Sequence, residues 1–172
     1  MILKLTDELP DRIYLDSSIL INSIITTSKY YDECSRFIER ISDMAIKCFI
    51  SSLTFDEIWY ILIKSVVEDK TDKNFIENYR KRPSIINLAK DVVDRITLDI
   101  IMADNFIIIP VTLEVITMAR EYIWKYSLLP RDAIHLSAMF SIGINTIATT
   151  DEDFKRVENI TIYTCNPNLL ER

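Results

Sequence analysis

Leu128-Leu129-Pro130-Arg131-Asp132-Ala133-Ile134-His135-Leu136 is followed after a short interval by Thr146-Ile147-Ala148-Thr149-Thr150-Asp151-Glu152-Asp153-Phe154, and together the two runs spell out a helix and then a strand. Pro130 suits the first turn of a helix, because its fixed φ is helical and its missing N–H would go unpaired there. Asp132 therefore falls near a helix N-terminus, and Ile134, Ala138 and Phe140 continue a largely apolar helix. Gly143, the only glycine in the chain, stands where that helix should stop, since glycine takes the left-handed C-cap conformation without steric cost. Asn145 to Ala148 then reads as a short buried strand that ends in Thr149, Thr150 and Asp151. Helix start and strand end bring two carboxylates to one rim, and in an open parallel sheet that rim is where ligands bind.

Working outward, the same grammar repeats. Arg12 to Leu15 is an apolar run ending in Asp16, followed by Ser17, Ser18 and the apolar stretch Ile19 to Ile25, which reads as strand, turn, helix. Tyr31, Cys34, Phe37, Ile38 and Ile41 recur at helical spacing within Lys29 to Ile41. Ile46 to Ile50 is a second strand, and a helix is expected over Phe55 to Val67. Glu68 to Met102 is polar, then amphipathic. A break at Pro83 divides it into two helices, the second turning Ile85, Leu88, Ala89, Val92, Val93 and Ile96 inward. Phe106 to Ile109 is a third strand, Leu113 to Tyr126 a helix, and Ile160 to Tyr163 a final edge strand. Strands alternating with helices predict a mainly parallel sheet covered on both faces.

Composition narrows the chemistry. A length of 172 residues with 49% hydrophobic content fits one compact domain. No apolar run is long enough to span a bilayer, and Lys4, Asp7 and Glu8 interrupt what a signal peptide would keep apolar, so no membrane is expected and the address reads as cytoplasmic. Cys34, Cys48 and Cys165 are an odd number at wide spacing with no C-x-x-C, which argues against a disulfide framework or a zinc knuckle and for reduced, mostly buried thiols. A net charge of −6 opposes broad nonspecific nucleic-acid binding. One glycine excludes a phosphate-cradling glycine loop, and one histidine excludes a multi-histidine zinc site. Carboxylate chemistry remains.

Four acids stand at comparable places: Asp16 after the first strand, Glu57 opening the helix after the second, Asp132 opening a later helix, and Asp151 after the next strand. Right-handed crossovers put such strand ends on one edge. Convergent carboxylates repel one another unless protons or cations intervene, and Mg²⁺ or Mn²⁺ suits them as a hard ion that prefers oxygen ligands. Each acid also has a purely structural explanation. Asp16 and Asp151 can cap turns, Asp132 can complement a helix dipole, and Thr54-Phe55-Asp56-Glu57 fits a capping box with Thr54 as the cap. His135 lies on the same helical side as Asp132 and reads as a hydrogen-bonded support, not as a catalyst. Arg80, Lys81 and Arg82 read as a solvated helix face or as a contact for substrate phosphates.

These residues carry a resemblance. Tyr14-Leu15-Asp16-Ser17-Ser18-Ile19-Leu20, Ser52-Leu53-Thr54-Phe55-Asp56-Glu57-Ile58, Leu129 to Leu136 and Ala148-Thr149-Thr150-Asp151-Glu152-Asp153-Phe154 occur in the order of a PIN-domain nuclease. Within that superfamily the chain is similar to the toxin ribonucleases of type II toxin–antitoxin pairs. The resemblance implies a three-layer α/β/α PIN-like domain with a mainly parallel central sheet, and Mg²⁺- or Mn²⁺-dependent hydrolysis of RNA phosphodiesters to 5′-phosphate and 3′-hydroxyl products. It implies ligand roles for Asp16, Glu57, Asp132 and Asp151, with Asp153 as a fifth ligand and Ser18 or Thr149 as polar supports. RNA, an antitoxin protein and a second copy of the chain are the implied partners. One departure is a longer segment between Glu57 and Asp132, an extra helix around Thr71 to Arg82 within a helical insertion spanning about 68–102. Two rival functions are a non-cleaving RNA- or protein-binding module of the same fold and a carboxylate-metal phosphatase. The phosphorylated-aspartate type of phosphatase wants a second aspartate where Ser18 stands.

Overall fold

The computed structural model describes residues 1–71 and 74–171. It divides into two compact units, Met1–Thr54 with Asn105–Arg172 and Phe55–Asp104. The first holds a six-stranded, all-parallel sheet in the order β1-β6-β5-β2-β3-β4. Its strands are β1 (Ile2–Lys4), β2 (Arg12–Leu15), β3 (Lys47–Ser51), β4 (Phe106–Ile109), β5 (Thr146–Ala148) and β6 (Thr161–Thr164). Helices α1 (Ser17–Ile24) and α2 (Tyr31–Asp43) link β2 to β3, and α6 (Leu113–Tyr126) and α7 (Pro130–Ser141) link β4 to β5. A short α8 (Pro167–Leu170) ends the unit.

Period-two alternation explains why helices are needed on both sides of this sheet. Tyr14, Phe49, Ile147 and Ile162 join Val115, Ala119, Leu136 and Met139 of α6 and α7 in one core. Their strand neighbours Ile13, Leu15, Cys48 and Ile50 must point the other way, and all four are fully buried. The sheet is therefore covered on both faces, as the expected three-layer arrangement requires. Gly143 has φ +67° and its N–H bonds the carbonyl of Phe140 at 3.0 Å, so α7 ends on the left-handed residue its position predicts.

In the second unit, α3 (Leu53–Thr71, begun two residues upstream), α4 (Phe75–Lys81), a 3₁₀ helix (Pro83–Ala89) and α5 (Lys90–Met102) follow in order. Val67, Phe75 and Ile85, with Ile63, form its own small core. Trp59 Nε1 donates to Thr97 Oγ1 at 2.8 Å, pinning α3 to α5. Among the described residues no helix is long and apolar enough to cross a membrane.

Several sequence expectations are corrected. The run expected over Ile160 to Tyr163 is not an edge strand: β1 pairs outside it, with Ile2 opposite Ile162, and the terminal amino group of Met1 donates to Ile160 O at 2.9 Å. The helix after β3 begins at Leu53, so Thr54 is inside it and is not its cap. Ser51 Oγ instead accepts from the Leu53 N–H at 3.1 Å, and Thr54 Oγ1 is buried with no hydrogen-bond partner among the described residues. The helix predicted from Lys29 starts at Tyr31. The helix predicted beyond Pro83 opens as a 3₁₀ helix that turns Leu88 outward, 37% exposed, while Ile85 and Ala89 stay buried. Of the helix expected over Thr71 to Arg82, α4 covers Phe75–Lys81 and Thr71 closes α3; Asp72 and Lys73 lie outside the described residues.

Candidate active site

Leu15 and Ala148 are partners across β2 and β5, so the residues that follow them, Asp16 and Thr149, leave the sheet side by side. The Asp16 N–H donates to Ala148 O at 3.0 Å and the Thr149 N–H to Tyr163 O at 3.0 Å, which extends the ladder one step past the strands. Asp16 then caps α1. Its Oδ2 accepts from Ser18 Oγ at 2.5 Å, from Thr149 Oγ1 at 2.8 Å and from the Ser18 N–H at 3.4 Å. Ser18 Oγ in turn accepts from the Thr150 N–H, and Thr149 Oγ1 from the Asp151 N–H, each at 3.0 Å. One carboxylate oxygen is thus saturated by a network that also fixes the loop carrying the next acid.

The other oxygen, Asp16 Oδ1, lies 4.0 Å from His135 Nε2. His135 is 1% exposed, and its Nδ1 is 2.8 Å from the hydroxyl of Tyr14. The imidazole is held between a tyrosine and a carboxylate, on the side of α7 that also carries Asp132. Asp132 is the third residue of α7 and half-buried. Its carboxyl is pushed up to about 7, first by burial and then by Asp151, Asp16 and Asp153, while His135 opposes the shift. Burial also raises Asp151, helped by Asp16 and Asp153 and opposed by the Asp153 N–H, which donates to its Oδ1 at 2.8 Å. Asp151 caps a short 3₁₀ helix over Glu152–Arg156. The structural capping roles expected for Asp16 and Asp151 are therefore present, and they coexist with the clustering: both follow from a carboxylate at a strand end.

The chain brings together Asp16, Asp132, Asp151, Asp153, Ser18, Thr149 and His135 within the sheet unit. Among the described residues no three His, Cys, Asp or Glu side chains are drawn up around a single point, although the acids are near enough to act on one another's ionisation. Apart from His135, whose ring nitrogens face Tyr14 and Asp16, the donors are carboxylate and hydroxyl oxygens, a set that fits a hard divalent ion. An open groove beside them is lined by Ser18, Thr150, Asp151, Glu152, Asp153 and Asn166. Glu57, buried in the early turns of α3, and Arg80, Lys81 and Arg82, all exposed at the end of α4, belong to the helical unit.

Three supports were not singled out from sequence. Arg156 Nη1 pairs with Asp153 Oδ1 at 2.8 Å, and its Nε and Nη2 donate to the carbonyls of Tyr126 and Ser127 at 3.0 and 2.8 Å. One guanidinium so ties the Asp153 loop to the end of α6, where Ser127 adopts φ 53°. Asn166 Nδ2 donates to Thr150 O at 2.8 Å, and Asn22 Nδ2 to Thr150 Oγ1 at 3.3 Å. Of these, only Asn166 carried a signal, as the residue before Pro167 in a turn-initiating pair.

With the geometry in view, known proteins give a consistent match. The PIN domain family model matches residues 13–160. Ribonuclease VapC2 of Methanocaldococcus jannaschii is 30% identical over 153 residues, 88% of this chain and 93% of that protein. Ribonuclease VapC6 of the same organism is 25% identical over 154 residues, 89% of this chain and 97% of that protein. Among solved structures, VapBC2 from Rickettsia felis bound to a DNA fragment from their promoter gives a TM-score of 0.55 at 16% identity, covering 89% of this chain and 98% of that one. VapC20 of Mycobacterium tuberculosis, a Sarcin-Ricin loop cleaving toxin, gives 0.56 at 16% identity, covering 83% and 92%. At that identity the two structures speak to the fold.

Proposed function

The chain belongs to the PIN-domain family, and from that premise we propose that it is a metal-dependent endoribonuclease, the toxin of a toxin–antitoxin pair. The observation that carries the reading is Asp132, whose carboxyl burial and three neighbouring acids push up to about 7, as happens where carboxylates are gathered for a cation. Relatives named as ribonucleases supply RNA as the substrate class. Likeness to a toxin supports an antitoxin protein as partner, and a homodimer follows by analogy with the family.

In this reading Asp16, Glu57, Asp132 and Asp151 hold Mg²⁺ or Mn²⁺, with Asp153 as a fifth ligand. Such an ion would supply a nucleophilic water at neutral pH and positive charge for the leaving oxygen. The chain's own residues prepare the site. Ser18 and Thr149 occupy Asp16 Oδ2, and Oδ1 faces His135 Nε2. His135 holds Asp16 and Tyr14 in register, and Asp132 would hold the ion in its deprotonated form. Arg156 balances Asp153. Arg80, Lys81 and Arg82 contact RNA phosphates, and residues 68–102 are a helical insertion in a single PIN-like domain.

A cleavage assay on structured and unstructured RNA, with Mg²⁺ or Mn²⁺ and with EDTA, tests the proposal. Metal-restored cleavage leaving 5′-phosphate ends is the expected result. RNA binding without cutting in every metal would favour the non-cleaving module, and hydrolysis of small phosphoesters alone would favour the phosphatase.

A further inference from the structure

Two thiols that the acidic groove does not use face each other in the sheet unit. Cys34 is on α2 and fully buried, whereas Cys165 follows β6 and is only partly covered. Cys165 opens onto a cavity of about 330 Å³, walled also by Leu5, Glu33, Phe37 and Leu170. The two Sγ atoms are 3.9 Å apart. A disulfide needs about 2.05 Å, so the pair is within a side-chain adjustment of bonding. The wide spacing in sequence that argued against a disulfide framework says nothing of this contact, because the parallel topology brings the chain back beside α2 after β6.

We propose that Cys34 and Cys165 are a reactive thiol pair that closes to a reversible disulfide on meeting a low-molecular-weight disulfide such as oxidised glutathione, with Cys165 reacting first. Access decides the order, since the cavity reaches Cys165 and not Cys34. Ionisation agrees. The hydrogen bond with Cys34 holds the Cys165 thiol below its usual range, with Lys29 adding to the effect against burial and Glu33. The same hydrogen bond and burial raise Cys34. Cys48 is a contrast: it is buried in the sheet, its thiol faces the Ile46 carbonyl, and burial pushes it up to about 12.

The steps balance. The Cys165 thiolate attacks one sulfur of glutathione disulfide, forming a mixed disulfide and releasing one glutathione thiolate. Cys34 passes its proton to that thiolate and attacks Cys165 Sγ, forming the Cys34–Cys165 bond and releasing the second glutathione. Two protein thiols are oxidised and one glutathione disulfide is reduced. The bond staples α2 to the segment carrying Asn166, which holds the Thr150 carbonyl next to Asp151.

The test is a non-reducing peptide map of the folded chain after incubation with oxidised glutathione, followed by thiol trapping. Wild type should show a Cys34–Cys165 cross-link, lost on adding dithiothreitol, and a melting temperature that rises on oxidation and returns on reduction. Cys34→Ser should stop at one glutathionyl group on Cys165, and Cys165→Ser should leave Cys34 and Cys48 unmodified. A persistent glutathionyl group on Cys165 of wild type, a cross-link through Cys48, or three unreacted thiols would each overturn the proposal. The wild-type map decides even if a variant fails to fold.

Discussion

The β2–α1 turn and the first turn of α7 each deliver an aspartate to the carboxyl edge of the sheet, yet they treat its charge in opposite ways. At Asp16, Ser18 and Thr149 aim three donors at one oxygen. At Asp132, among the described residues, no donor is aimed at the carboxylate, and burial with Asp151, Asp16 and Asp153 drives it up to about 7. One carboxylate has an oxygen filled by hydrogen bonds, and the other is crowded by burial and by neighbouring acids. A helix N-terminus alone would have lowered Asp132, so burial, with the crowding of acids, outweighs the local helix.

The largest break of this contrast is Asp132→Asn. The amide keeps the shape and removes the anion, so RNA cleavage should fall at least about 10²-fold, beyond what loss of a supporting residue costs, with the fold retained by circular dichroism. Near-normal turnover at low metal concentration would remove Asp132 from the site. Next come Ser18→Ala and Thr149→Val, which take donors from Asp16. Each should cost about 1–3 kcal/mol of stability by urea denaturation and roughly 10–100-fold in activity; unchanged activity in a destabilised variant would make the network merely structural.

A smaller effect is the pH dependence of the metal-free protein. Asp132 and Asp151 both bind protons more tightly folded than unfolded, and for Asp132 the folded state holds an extra proton between the unfolded value near 3.8 and the folded value of about 7. Stability should therefore fall as pH rises from about 4 to 7 and level off above. In Asp132→Asn most of that slope should vanish, and an equal slope in the variant would contradict the raised Asp132. The smallest expected change is in the helical unit. Replacing Arg80, Lys81 and Arg82 by glutamine should weaken RNA binding and lower its salt slope by about 1 for each phosphate left without its cation, and an unaltered slope would leave them a solvated face.

The edge acids were legible because local punctuation marks them. Pro130 at a helix start and Gly143 at its stop put Asp132 at the rim, and the short run to Ala148 did the same for Asp151. Contacts set by topology were not. β1 is only three residues long, too short to announce a strand, yet it makes β6 interior. α3 begins at Leu53, whose N–H donates to Ser51 Oγ, upstream of the start that Thr54 and Glu57 suggested as a capping box. The Cys34–Cys165 contact joins residues that no local pattern connects.

Thermal melts of wild type and Asp132→Asn above pH 7, in EDTA and in excess Mn²⁺, test the claim that these acids form one cation site most directly. The metal-free variant should be as stable as wild type or more so, because a repelling charge is gone, and Mn²⁺ should stabilise wild type more than the variant by mass action. A metal-free variant less stable by about 0.3–1 kcal/mol, the loss expected of a simple helix-dipole acid, together with no Mn²⁺ shift in wild type, would contradict it.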